Sequence, residues 1–163
     1  MALVPDTQLP EMSMPGGDHF YTTSDSERDA AVSSYGYRFE QVAGYVHPAP
    51  VVGTSPFYRL VHAESGDHFY TASESERDQA VLGDGYQIEG VSAFVYQSQV
   101  EGTAPLYRLV NDESLEHFYT TSEGERDAAV SDLGYRSEDV AAYVYESEQP
   151  GTVPLFRLVS DTN

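Results

Sequence analysis

The sequence His19-Phe20-Tyr21-Thr22 (HFYT) decides how the chain is organised, because it returns unchanged at residues 68–71 and again at 117–120. Both shifts are 49 residues, and no gap is needed to align the copies. The same shift superimposes the Glu-Arg-Asp triplet that follows each copy and the Arg-Leu-Val segment that ends each period. A fixed period of this length is typical of repeat architectures. We therefore predict one domain of three units, residues 18–66, 67–115 and 116–163.

Residues 1–17 have no counterpart in the other units, and we expect them to form an irregular lead-in. They lack the basic segment and the long apolar segment that make up a secretory signal peptide. We therefore expect a protein that is cytoplasmic or secreted by a non-classical route.

Each unit shows the pattern of two strands, a helix and a third strand. Segment Phe57–Val61 is rich in β-forming residues, and a polar turn separates it from the next HFYT copy, as in a hairpin. Two residues after HFYT, Ser24 and Glu27 fit the Ser-x-x-Glu capping box of a helix N-terminus. We expect the helix to stop before Gly36 and a further strand to follow it.

The first HFYT segment has no preceding strand with which to form a hairpin. One period before Phe57–Val61 the chain reads Gln8–Met12, which does not match, so the missing strand is expected at Leu155–Val159. Pairing between the two ends of the chain would leave no open sheet edge. We therefore predict a mainly β chain with one short helix per repeat, arranged as a closed pseudo-threefold ring that resembles a three-bladed propeller. A β-trefoil is the alternative, although its units contain only strands.

The charge and composition of the chain exclude several classes of function. The 27 acidic residues outnumber the 8 basic ones, and the formal net charge of −19 repels phosphate backbones and anionic membranes. We expect neither a nucleic-acid partner nor membrane insertion. Because the chain has no cysteine and its five histidines show no metal-ligand spacing, we expect no metal and no other cofactor.

The repeated polar and aromatic residues are the candidate binding residues. Side chains alternate along a strand, so His19 and Tyr21 share one face, where they form either a polar aromatic surface or a second packing layer. The arginine of each Arg-Leu-Val segment either reaches a rim or pairs with a repeated acid, for which Glu40, Asp29 and their copies are candidates. The candidate ligand-binding residues are His19, Tyr21, Glu40, Arg59, His68, Tyr70, Glu89, Arg108, His117, Tyr119, Glu138 and Arg157.

Three copies of one residue set suit binding better than catalysis, because the sequence shows no activated nucleophile and catalytic centres usually break symmetry. Aromatic faces pack against sugar rings, and fixed polar groups bind sugar hydroxyls. We therefore predict a non-enzymatic, multivalent, lectin-like protein with one equivalent site per repeat and glycans or cell-wall polysaccharide as partners. The alternative is a structural or protein-binding module, such as an inhibitor, whose acidic surface meets a basic partner.

The succession of Arg-Leu-Val, HFYT, Ser-x-x-Glu-Arg-Asp and Gly-Tyr resembles a family of HFYT/ERD repeats of unassigned function, found in bacterial cell-wall hydrolases and secreted fungal proteins. The resemblance covers nearly everything after residue 17. In that family the repeats typically accompany a separate catalytic domain, which implies attachment to a wall or a glycan. The family pattern often has tryptophan near the last strand, where this chain has Tyr45, Phe94 and Tyr143. By analogy of type alone, the module is also similar to the cytoplasmic defence lectins of fungal fruiting bodies.

Overall fold

The computed structural model describes residues 18–160, so the predicted lead-in at residues 1–17 lies outside the described part of the chain. Within that part the chain is mainly β with three short helices, as the sequence predicts. The strands are β1 (His19–Thr22), β2 (Tyr37–Val46), β3 (Ser55–His62), β4 (His68–Thr71), β5 (Tyr86–Val95), β6 (Thr103–Asn111), β7 (His117–Thr120), β8 (Tyr135–Tyr145) and β9 (Val153–Ser160). The helices are α1 (Asp25–Ser34), α2 (Glu74–Gly83) and α3 (Glu123–Asp132).

The strands form three antiparallel triplets. The first triplet is β1–β9–β2, the second is β4–β3–β5 and the third is β7–β6–β8. A pairing between Tyr45 and Tyr145 joins the first triplet to the third, and a bridge between His47 and Phe94 joins the first to the second. The sheets of residues 18–160 do not close into a barrel, and each triplet has a helix between its short strand and the strand that follows it, so the β-trefoil alternative, whose units contain only strands, does not fit this structure.

The last strand lies inside the first triplet. β9 pairs with β1 on one side, where His19 is opposite Val159. It pairs with β2 on the other side, where Val46 is opposite Val153. The two ends of the described chain are therefore held together by backbone hydrogen bonds of one sheet.

Each helix begins at a serine cap, but the capping box takes an altered form. The Ser24 hydroxyl accepts a hydrogen bond from the backbone N–H of Glu27 at 3.0 Å. The Ser24 N–H donates to Thr22 Oγ1 at 3.1 Å, and Thr22 in turn donates to the Glu27 carboxylate at 2.5 Å. The same three contacts recur at α2 and α3. A capping box predicts that Glu27 accepts a hydrogen bond from the Ser24 N–H. In the structure Thr22 accepts that bond instead, and the Glu27 carboxylate faces the neighbouring triplet.

Each helix packs through one alanine and ends before a glycine. Ala31, Ala80 and Ala129 are the buried residues of the three helices. The glycine two residues after each helix has a φ between +79° and +84°, a conformation that residues with a Cβ rarely adopt. This turn directs the chain into the next strand. None of the described helices is long and apolar enough to cross a membrane.

The core consists of one central cluster and three outer clusters. The central cluster contains the three HFYT tyrosines, whereas each outer cluster contains an HFYT phenylalanine and a helix alanine. In the first outer cluster these residues are Phe20 and Ala31, packed with Leu158. The phenylalanines thus lie on the face of the short strand that packs against the helix. The tyrosines lie on the opposite face, toward the centre of the molecule.

The three HFYT tyrosines connect the triplets around that centre. The Tyr70 hydroxyl donates to the carbonyl of Tyr21 at 2.9 Å and accepts from the Tyr21 N–H at 2.7 Å. Tyr119 makes the same two bonds to Tyr70, and Tyr21 makes them to Tyr119. Since β1, β4 and β7 each pair with a strand on one side only, these hydroxyls satisfy backbone groups on the other side.

Candidate functional site

The candidate residues meet where one triplet packs against the next. At the first junction, Phe20 and Glu27 of the first triplet face Arg59, His68 and Glu89 of the second. The second junction brings together Phe69, Glu76, Arg108, His117 and Glu138, and the third brings together Phe118, Glu125, Arg157, His19 and Glu40. The predicted histidines, arginines and glutamates are therefore gathered into three sets.

Each repeated arginine forms a bridge across its junction. At the first junction, the two terminal nitrogens of Arg59 donate to the two carboxylate oxygens of Glu27 at 3.0 and 2.8 Å, and Nε donates to Glu89 at 2.8 Å. The guanidinium also lies over the Phe20 ring, 4.9 Å from its centroid. The Arg59 hydrogen bonds lower the pKa of Glu27. A planar guanidinium on β3 is thus fixed by three charge-assisted hydrogen bonds to the helix α1 and the strand β5.

The acid of the third strand reaches the arginine because of a β-bulge. The pairing register of β5 shifts at Glu89, and those of β2 and β8 shift at the equivalent positions. A bulge bends the strand and turns the extra side chain toward its neighbour. Of the two acids expected to pair with the arginines, Glu89 and its copies do so, whereas Asp29 pairs with the adjacent Arg28 at 3.1 Å on the surface.

Each HFYT histidine lies between two carboxylates. Nδ1 of His68 is 2.7 Å from Asp18, and Nε2 is 3.5 Å from Glu89. Burial alone lowers the pKa of His68, but the hydrogen bonds and charges of Asp18 and Glu89 outweigh it and raise the pKa to about 9. His117 has the equivalent partners, and its pKa is raised to about 9 against the same effect of burial. These imidazoles are therefore cations at neutral pH, with both nitrogens facing acids.

The third junction is the tightest. The His19 side chain is fully buried, whereas those of His68 and His117 are 12% and 11% exposed. The acid here is Glu116, where the other junctions have aspartate, and its carboxylate binds both the His19 ring and the Tyr135 hydroxyl. Burial raises the pKa of Glu116, although its two partners lower it. Burial lowers the pKa of His19, but the Glu116 charge raises it to about 9.

The HFYT tyrosines do not line the junction surface. Tyr21, Tyr70 and Tyr119 are at most 1% exposed, and every hydroxyl is bonded to backbone. Burial raises the pKa of all three hydroxyls. Of the two alternatives for this strand face, a polar aromatic surface or a second packing layer, the burial of the tyrosines favours packing. They are core residues, because the unpaired edges of the short strands need their hydroxyls.

A cleft of about 580 Å³ lies at the first junction and is called the first cleft below. The cleft at the second junction has about 210 Å³ and is the second cleft. Both contain the junction arginine, histidine and two glutamates, so they share one polar framework. The first cleft is also lined by Asp18, Phe20, Tyr35 and Tyr37, and the second by Phe69, Asp84 and Tyr86.

Tyr35 is the residue that the sequence analysis did not select. It caps the C-terminus of α1, is 71% exposed and lines the first cleft. The equivalent cap is Asp84 in α2 and Leu133 in α3. The position differs in all three units, so the identical columns of the repeat do not include it. Its sequence signal is that only the first unit has an aromatic residue there.

The charged groups at each junction pair with one another and form a set of fixed hydrogen-bond donors and acceptors. No group of three or more metal-ligating side chains that could hold an ion occurs among residues 18–160. At the first junction the cations are Arg59 and His68, and the anions are Asp18, Glu27 and Glu89. Such an arrangement is suited to binding a polar, uncharged molecule.

A family model described as a domain of unknown function, DUF5648, matches residues 56–163. The matched part contains the second and third triplets and the strand β9, and therefore all of the second junction. No curated protein and no solved structure matches the chain. Because the matched segment is about two thirds of the 163 residues, the chain belongs to the DUF5648 family, a domain of unknown function.

Proposed function

We propose that this protein is a non-enzymatic carbohydrate-binding protein whose sites are the clefts between neighbouring strand triplets. The first cleft is the main site, and the second cleft is a smaller site on the same framework. The single observation that carries the proposal is the exposed Tyr35 ring beside the fixed charges of the first cleft.

The architecture that we infer for these sites is a closed pseudo-threefold ring that resembles a three-bladed propeller. In support, the contacts run in one direction around the molecule. Arg59 of the second triplet binds Glu27 of the first, Arg108 of the third binds the second, and Arg157 of the first binds the third. The tyrosine hydrogen bonds follow the same cycle. The first and second clefts lie at two of the three junctions of this ring.

Sugar binding needs an apolar ring face and polar groups already in position. In the first cleft, Tyr35 and Tyr37 supply aromatic surface, with Phe20 beneath the Arg59 guanidinium. The hydrogen-bonding groups are held by the ion pairs described above, so a ligand need not order them when it binds. Preorganisation of this kind lowers the entropy that binding costs.

The state of the histidines supports binding without turnover. A general base must be able to accept a proton near neutral pH. His68 is already protonated there, because its pKa is raised to about 9, and both of its nitrogens face carboxylates. Glu27 and Glu89, which share Arg59, have pKa values below their usual range because of their bonds to Arg59 and His68 respectively, so they are poor proton donors.

The clefts also bear on the expected multivalency. The first cleft is larger than the second and has Tyr35 where the second has Asp84. We therefore propose that the sites on one chain are related but unequal, and that the first cleft contributes most of the binding. The partners that we propose are glycans or cell-wall polysaccharide.

The test is a glycan microarray followed by calorimetry on the sugars that bind. Tyr35→Ala is expected to lower affinity by about tenfold or more, as loss of a stacking ring does at the centre of a binding site. Tyr35→Phe keeps the ring and is expected to bind within about twofold of the wild type. Leu82→Ala, at an exposed site on α2 outside both clefts, is the matched control. If folded protein binds no glycan, or if Tyr35→Ala binds as well as Leu82→Ala, the proposal fails.

A further inference from the structure

A second opening adjoins the first cleft on the other side of the Arg59–Glu27 ion pair. It has about 180 Å³ and is lined by residues 22–24 of the first triplet and 90–92 of the second. The two openings share Glu27, Arg59 and Glu89. The two openings thus adjoin each other at the Arg59 bridge, and together they are called the groove of the first junction.

The second junction has the same arrangement. Its second cleft is joined, across Arg108 and Glu76, by an opening of about 410 Å³. That opening is lined by residues 71–73 and 139–141, one period after the residues at the first junction. Both junctions thus have an opening on each side of the arginine bridge. The larger opening is on the histidine side at the first junction and on the opposite side at the second.

The groove is longer than a single sugar ring. Asp18 lines one end of it and Ser24 the other, six residues further along an extended segment. At about 3.3 Å per residue that segment spans up to about 20 Å. We propose, building on the function proposed above, that the groove binds a linear, uncharged oligosaccharide that lies across the Arg59–Glu27 pair.

The polar groups along the groove fit the hydroxyls of such a chain. Arg59 has five N–H donors, of which three are directed to Glu27 and Glu89, which leaves two donors that these ion pairs do not use. The two carboxylates are 40% and 33% exposed and can accept further hydrogen bonds. The far end adds the hydroxyls of Thr23 and Ser24.

The charge of the groove disfavours acidic sugars. The three shared residues carry one positive and two negative charges, and the whole chain carries −19. An anionic chain would therefore meet repulsion both along the groove and at a distance. A neutral chain meets neither, so we expect neutral hexose and N-acetylhexosamine polymers to bind and uronic-acid polymers not to bind.

The experiment compares chain lengths on an array printed with the one- to four-unit members of the gluco, manno, galacto and N-acetylglucosamine series. The wild type is expected to bind the four-unit member of its preferred series about tenfold or more tightly than the single sugar. Val91→Trp places bulk in the far opening and is expected to remove that gain while changing the affinity for the single sugar by less than about twofold.

Ile88→Trp is the matched control, because Ile88 lies on the same strand, lines neither opening and is 52% exposed against 48% for Val91. It is expected to bind every length as the wild type does. Equal affinity of the wild type for all lengths, or an equal effect of the two substitutions, would overturn the groove while leaving sugar binding intact. Absence of binding to every spot would instead refute the proposed function on which the groove rests.

Discussion

Replacing Tyr70 by phenylalanine should destabilise the protein far more than such a conservative change usually does. The substitution keeps the ring and its packing in the central cluster. It removes the hydroxyl that accepts from the Tyr21 N–H at 2.7 Å and donates to the Tyr21 carbonyl at 2.9 Å. Both backbone groups are buried at the free edge of β1, with no strand beside them to replace the lost bonds.

The size of the effect follows from those two groups. A buried donor or acceptor left without a partner costs about 1–3 kcal/mol. Two such groups give an expected loss of about 2–6 kcal/mol from the free energy of unfolding, against a total of about 5–15 kcal/mol for a typical domain. Tyr21→Phe and Tyr119→Phe should cost similar amounts, because each hydroxyl makes the same pair of bonds.

Urea unfolding followed by circular dichroism measures this loss. Tyr107→Phe is the control, since the Tyr107 hydroxyl contacts Glu123 at 3.3 Å on the exposed surface. Removal of that exposed contact should change the free energy of unfolding by less than about 0.5 kcal/mol. If Tyr70→Phe costs less than about 1 kcal/mol, or no more than the control, the tyrosine hydroxyls do not hold the strand edges as described.

Two further predictions concern the charged groups of the junctions. The HFYT histidines have pKa values raised to about 9 from 6.5, so their stabilisation is complete below pH 6.5 and is lost as the pH rises through 9. Between pH 6.5 and 9, the deprotonation of each histidine should lower the free energy of unfolding by about 1.4 kcal/mol per pH unit. His68→Gln removes one of the three histidines and should reduce the slope by about 1.4 kcal/mol per pH unit. A flat urea midpoint between pH 6.5 and 9 would contradict this. Arg108→Ala removes a side chain that is 7% exposed and leaves Glu76 and Glu138, which are 38% and 24% exposed, without their hydrogen bonds to it; the variant should lose about 1–3 kcal/mol from the free energy of unfolding. Arg136→Ala, which breaks an exposed pair with Asp112, should cost less than about 1 kcal/mol in the same assay, and equal losses for the two variants would show that the bridge does not join the triplets.

The local structure was largely predictable from the sequence. The caps at Ser24 and its copies, the turn at Gly36 and the alternation along HFYT depend on residues within a few positions of one another. The period also indicated that Leu155–Val159 would serve the first HFYT segment, and β9 does lie beside β1. The local inferences succeed because capping, turn formation and strand alternation act over short distances, whereas the pairing of β9 with β1 follows from the repeat, which gives β1 the kind of partner that β4 and β7 have.

The candidate site was only partly predictable. The histidine, arginine and glutamate sets do meet at the junctions, but the glutamates reach them through bulges that shift the register by one residue. The partner of Arg59 on the helix side, Glu27, is 32 residues away, and spacing alone gave no reason to prefer it. Tyr35 was not predicted because it is not repeated, and its proposed role in binding depends on the cleft that it lines.

The sequence by itself determined that three copies of one strand, helix and turn pattern follow one another, because hydrogen-bond geometry and side-chain alternation act within each copy. Only the tertiary structure decided that the tyrosines turn inward to serve strand edges, that the histidines are caught between acids of two triplets, and that an aromatic ring remains open at the first junction. Those features depend on how preformed triplets pack against one another, where a single bulge or one extra methylene changes which groups touch.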